Sequence, residues 1–141
     1  MEFLSSSPID TENFAYNFAK TLQGGSVLAF RGGMGMGKTH FTRGLAKGLG
    51  FTGDVSSPTF AIVNEYRGGR LPLFHFDMYR IESWEDLDSC GFFDYMEENG
   101  VIAVEWSENI DGALPHHTIY ITIEAIGENS RKITVEGGKE I

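Results

Sequence analysis

The sequence predicts an α/β fold with a mixed sheet, and three observations carry that prediction. A strand-length apolar run, a glycine-rich loop and a helical pattern follow one another over residues 26–49. A buried-type run, Val101–Val104, ends in a carboxylate. Two pairs of strand-like runs are separated by hairpin turns. At 141 residues and 15.6 kDa the chain has the length of one domain, residues 1–141, built on one core.

Taken in order, residues 1–9 read as a lead-in, and Asp10 as the N-cap of a helix through about Leu22, with Phe14, Phe18 and Leu22 as its apolar stripe. Gly24-Gly25 ends it. Ser26–Arg31 is the first strand, and Phe41, Leu45 and Leu49 mark the helix after the glycine loop. Gly48, Gly50 and Gly53 break the chain there. Phe60–Tyr66 and Leu71–Met78 form an antiparallel pair about the turn Arg67-Gly68-Gly69-Arg70. Ser83 caps a short helix and Asp94–Glu98 forms another, closed by Gly100. Val101–Trp106 is a buried strand. Thr118–Glu124 and Arg131–Glu136 alternate about Gly127-Glu128-Asn129 as a terminal hairpin.

Composition removes several classes of function. Apolar runs are too short for a membrane helix and no charged-then-apolar leader is visible, so the expected location is cytoplasmic. The single cysteine, Cys90, allows no internal disulfide and is read as a small core residue. His116-His117 lacks a third ligand nearby for zinc. With 11 basic against 20 acidic residues and a net charge of −9, the chain lacks the basic surface that holding RNA or DNA directly requires. Between Ile81 and Asp111 there are ten acidic residues and no Lys or Arg. That segment is either a solvated acidic face or a docking face for a basic protein.

The chemistry centres on Gly32-Gly33-Met34-Gly35-Met36-Gly37-Lys38-Thr39, which fits the phosphate-binding pattern G-x-x-x-x-G-K-[ST] at every fixed position. Its strand and helix context fits as well. Glycines reach backbone conformations closed to other residues, so successive N–H groups can surround a phosphate at a helix N-terminus. Lys38 supplies a mobile positive charge and the Thr39 hydroxyl suits Mg²⁺. Hydrolysis also needs a metal-holding acid. Asp77, ending Leu73-Phe74-His75-Phe76, and Glu105, ending Val101–Val104, are strand-end carboxylates, and ligands of open α/β sheets collect at that edge. Their division of roles stays open. Thr59, after Pro58, either senses a γ-phosphate or its Mg²⁺, or simply opens a strand. Trp106 either stacks on a base or a partner, or belongs to the core. His75, between Phe74 and Phe76, reads as structural.

Four segments in this order and spacing carry a more specific signal: Gly32–Thr39, Ser57-Pro58-Thr59-Phe60, His75-Phe76-Asp77-Met78-Tyr79-Arg80 and Glu105-Trp106-Ser107-Glu108. Together they resemble the TsaE family, also called YjeE, over about residues 10–115. The resemblance implies a three-layer fold similar to P-loop NTPases, with a parallel core sheet flanked by antiparallel strands. It implies a Mg²⁺-dependent ATPase, weak alone, that assists a TsaD–TsaB complex in threonylcarbamoyladenosine modification of tRNA next to the anticodon. By the same resemblance Gly32, Gly35, Met36, Gly37 and Lys38 hold the phosphates, Thr39 and Glu105 ligate Mg²⁺, and Asp77 takes the Walker-B-like position. Thr59 belongs to a switch-like loop, and Trp106 lies near the nucleotide. The chain departs from the family pattern at Gly33, where an acid is usual, and at His40, where a second Thr is usual; His40 bears on the α-phosphate contact. Two other readings compete: a small-molecule kinase of the same fold class, poor in lid arginines here, and a nucleotide-gated protein-binding module.

Overall fold

Four parallel strands form the middle of a sheet whose two edges are antiparallel. The computed structural model describes residues 1–31, 37–53, 55 and 62–137. Among them the elements are β1 (Glu2–Ser5), α1 (Pro8–Ala19), β2 (Val27–Arg31), α2 (Lys38–Gly48), β3 (Val63–Tyr66), β4 (Leu73–Asp77), α3 (Trp84–Ser89), α4 (Phe92–Glu97), β5 (Val101–Glu105), a 3₁₀ segment (Ser107–Ala113), β6 (Ile119–Ala125) and β7 (Arg131–Gly137). The sheet order is β1-β7-β6-β2-β5-β4-β3. Strands β6, β2, β5 and β4 run parallel, while β3 joins β4, β7 joins β6 and β1 joins β7 antiparallel. This is the three-layer α/β fold of the P-loop type that the sequence predicts.

Alternation along the strands builds two cores, one on each face of the sheet, where the length of the chain predicts one. Leu28, Phe30, Leu73, Val101, Ala103 and Ile121 face α1 and α2. Val27, Phe74, Phe76, Ile102 and Val104 face the layer of α3, α4 and the 3₁₀ segment, where they pack with Leu87, Phe92 and Ile110. Strands β2, β4 and β5 are buried along their length until the last residue, as sheets covered on both faces require. No helix among the described residues is long and apolar enough to cross a membrane.

Three local expectations are corrected. The lead-in is a strand: Glu2–Ser5 pairs with Arg131–Thr134 of β7. The first helix begins earlier than Asp10 and stops earlier than Leu22. Ser7 is its N-cap, accepting from the Asp10 N–H, and Pro8 fills the first turn, where a missing N–H costs nothing. Asp10 instead reaches back to the Ser6 N–H at 3.1 Å. That bond, with the Ser6 hydroxyl, holds its carboxyl below the usual range. Finally, Gly48 does not break α2 but is its last residue, pressed against α1. The fully buried row of α1 is Thr11, Ala15 and Ala19, with Phe14 and Phe18 half-buried beside it.

Candidate functional site

The site is assembled from the carboxyl ends of three adjacent parallel strands, β2, β5 and β4. The first of these, β2, ends at Arg31, and the chain re-enters the described residues at Gly37, whose φ of 100° is left-handed and strained for any residue with a Cβ. Gly37 is the N-cap of α2 and has no side chain with which to cap it. A helix N-terminus so formed presents the positive end of the helix dipole to whatever lies ahead of it. Lys38, the first helical residue, is 5% exposed, and Thr39 follows half-buried. Gly32, Gly35, Met36 and Thr59, expected to cradle or sense phosphates, lie outside the described residues, as does Gly33, the first departure from the family pattern.

The two strand-end acids meet. Asp77 and Glu105 are register partners in the β4–β5 ladder, and both are half-buried. Period-two alternation sets them on the face that carries Leu73, Val101 and Ala103, the face covered by α2. Asp77 Oδ1 accepts the Tyr79 N–H at 3.0 Å, a turn closed by the side chain immediately after the strand. Glu105 Oε2 lies 2.6 Å from Nε2 of His75, which is wholly buried. His75 thus has a carboxylate partner as well as its two phenylalanine neighbours.

Beyond Glu105 the backbone turns abruptly. Trp106 has φ 59° and ψ 40°, the only positive φ at a non-glycine residue among those described, a conformation costing about 1–2 kcal/mol. Its indole meets the Tyr79 ring edge-on at 4.9 Å between centroids. Buried Ser107 donates to the Phe30 carbonyl at 3.0 Å, and Asn109 donates to the Met78 carbonyl at 2.8 Å. These two side chains lace the 3₁₀ segment to the ends of β2 and β4, so they help fix the rim on which Glu105 stands. Both belong to or adjoin the Glu105–Glu108 motif, yet their partners are distant in sequence and no local pattern announces them.

His40 turns towards α1: its Nδ1 is 3.2 Å from Arg43 and 3.7 Å from the Glu12 carboxylate, which also meets Lys47 at 2.9 Å. The acidic side chains of the segment 81–111 lie almost entirely at the surface. Nine of its ten acids are exposed, Glu105 being the exception, and Arg31 and Arg67 reach in to pair with Asp111 and Glu98. Trp84, 62% exposed, stacks on Phe93 in the same layer. Cys90 is half-buried, and burial raises its thiol above the usual range.

The family model for the threonylcarbamoyl adenosine biosynthesis protein TsaE matches residues 5–133, beyond the span of the four motifs at both ends. The chain belongs to the TsaE family. It is 41% identical over 128 residues to the tRNA threonylcarbamoyladenosine biosynthesis protein TsaE of Bacillus subtilis, covering 91% of this chain and 80% of that one. The Treponema pallidum protein of the same name is 37% identical over 135 residues, 96% of this chain and 99% of the relative. The crystal structure of Bacillus subtilis YdiB superposes with a TM-score of 0.80 at 34% identity, covering 99% of this chain and 86% of that one. Family membership thus rests on sequence and fold alike.

Proposed function

We propose that this TsaE-family chain is a single-domain, cytoplasmic, Mg²⁺-dependent ATPase that works in tRNA threonylcarbamoyladenosine synthesis, activated by a TsaD–TsaB complex. The observation that carries the reading is the register pairing of Asp77 with Glu105 at the carboxyl edge, beside the strand that leads into the N-terminus of α2. Lys38 and the loop N–H groups of Gly32, Gly35, Met36 and Gly37 would hold the phosphates. Trp106, with its indole braced by Tyr79, would border the nucleotide.

The donor chemistry suits Mg²⁺. Thr39 offers a hydroxyl, and Glu105 and Asp77 offer carboxylates, all hard oxygen ligands. Among the described residues no group of three or more His, Cys, Asp or Glu could cage a metal by itself. An ion that keeps several waters and is bound through one or two carboxylates plus substrate phosphates fits such a site better than one that needs a full protein cage. Mg²⁺, when bound, neutralises charge on the phosphates and on the leaving oxygen. In this reading Thr39 and Glu105 hold the ion, Asp77 assists it in the Walker-B-like position and Thr59 responds to the γ-phosphate.

The charge distribution supports indirect contact with tRNA. An exposed acidic layer repels the phosphate backbone, so the RNA would be held by partner proteins, not by this chain. The decisive experiment measures phosphate release from Mg·ATP with the chain alone, with TsaD–TsaB added, and with Lys38→Ala in both settings. Stimulation by the complex that Lys38→Ala abolishes is the expected result. An unchanged rate with a competent complex would overturn partner activation and direct the search to a phosphoryl acceptor.

A further inference from the structure

The α2-covered face of β4 and β5 contains one polar pair whose chemistry the fold alone does not demand. His75 occupies the middle of β4, between Leu73 and Asp77 on that face and opposite Ala103 of β5. It is wholly buried, as Ala103 is, and its Nε2 lies 2.6 Å from Glu105 Oε2. The other ring nitrogen, Nδ1, is buried without a hydrogen-bond partner. A β-branched apolar residue would fill a central strand without desolvating a polar group that nothing compensates. The ring's one polar contact is to a residue of the proposed metal site.

The bond runs diagonally across the ladder, from the residue opposite Ala103 to the residue opposite Asp77. The small side chain of Ala103 suits that path. Glu105 is a long side chain at a strand end, and fixing one costs rotamer freedom. A rigid, fully packed ring donating to one carboxylate oxygen removes that cost before any ligand arrives. Such support of a metal-binding carboxylate by a hydrogen-bonding neighbour typically changes metal affinity or activity by about 10–100-fold.

We propose that His75 is a positioning residue for Glu105: its Nε2–H donates to Oε2, and the bond presets the carboxylate for nucleotide-bound Mg²⁺. This rests on the reading of Glu105 as a Mg²⁺ ligand.

The test compares His75→Leu, which keeps volume but removes the donor, with His75→Gln, which returns an N–H at similar reach, and with Glu105→Gln. Binding of a fluorescent ADP analogue to the intact chain is followed in chelator and then across a Mg²⁺ titration. Affinity in chelator should stay within about twofold of wild type, while the Mg²⁺ midpoint rises about tenfold in His75→Leu and recovers to within about threefold in His75→Gln. An unmoved midpoint in His75→Leu, with Glu105→Gln raised, overturns the positioning role and leaves the site reading standing. Equal shifts in His75→Leu and His75→Gln would assign the effect to ring packing and overturn it too. No shift in Glu105→Gln overturns both. Should the His75 variants not fold, ¹⁵N NMR of the wild-type imidazole decides: a proton on Nε2 is expected, and an Nε2 without one refutes the proposal.

Discussion

Gly44 of α2 stands so close to the Glu12 carbonyl of α1 that a Cβ built on it would lie 2.2 Å from that oxygen and 2.8 Å from the Ala15 Cβ. Gly48, one turn on, is in the same position against the Tyr16 carbonyl and Ala19. The two helices therefore meet backbone to backbone along a stripe of small residues. In an isolated helix Gly→Ala would stabilise by about 1 kcal/mol through propensity. Here the methyl meets backbone that cannot rotate away, and overpacking costs about 1–3 kcal/mol, occasionally more. Gly44→Ala should lower the midpoint of urea unfolding, with Gly44→Ser lower still; a midpoint at or above wild type would refute the close contact.

The same helix pair is pinned by charge. Burial pushes the Glu12 carboxyl up, but Lys47 at 2.9 Å and Arg43 at 3.5 Å together outweigh it and hold the group below its ordinary value of 4.5. A carboxyl depressed in the folded state adds stability that is present above its unfolded value and lost as pH falls through the folded one. Melting temperatures of wild type and Glu12→Gln should differ most near neutral pH and converge below about pH 4.5. A difference constant with pH would mean that packing alone acts there.

At the far edge of the sheet the Tyr95 hydroxyl donates to Glu65, which is also bonded by Arg67 at 2.6 Å. That bond, with burial and the nearby negative charge, raises the phenol from 10.0 to about 12. A raised group contributes stability below its unfolded value that disappears as pH climbs from about 10 to about 12. Phenolate absorbance, read as wild type minus Tyr95→Phe, should show that late titration. Glu65→Gln should return it towards 10, and a Tyr95 that ionises normally in wild type would refute the pairing.

Most of the sheet was legible because its signals are local. The loop Gly32–Thr39 has fixed spacing, the turn Arg67–Arg70 announces β3 and β4, and Val101–Glu105 is an uninterrupted apolar run with one acid at its end. Strand β1 was hidden because four residues without alternation acquire their structure only by pairing with β7, at the other end of the chain. Asp10 and Ser7 are both competent caps, and Pro8 is what decides between them. In α1 the large aromatics drew attention away from Thr11, Ala15 and Ala19, whose small size is what admits α2. At the site, strand-end acids could be read from sequence, but the partner of His75 could not. Its bond to Glu105 depends on the parallel register of β4 and β5, and register between strands 30 residues apart is a property of the folded sheet.

Asp77 allows the charge at the carboxyl edge to be tested almost without disturbing the fold. Its Oδ1 accepts the Tyr79 N–H, and asparagine has an equivalent carbonyl oxygen, so Asp77→Asn can retain that turn while removing the negative charge. Stability should change by less than about 1 kcal/mol, as expected when the hydrogen bond survives. If Asp77 assists Mg²⁺ and transition-state charge as proposed, partner-stimulated phosphate release should fall by about 10²–10³-fold, the usual loss on removing one electrostatic contributor. Nucleotide affinity in chelator should stay near wild type, because in the proposed site the loop and Lys38 hold the phosphates. Asp77→Ala, which loses the turn bond as well, should be both inactive and less stable. Full activity in Asp77→Asn would confine Asp77 to closing the turn after β4 and leave Glu105 as the acid on which hydrolysis depends.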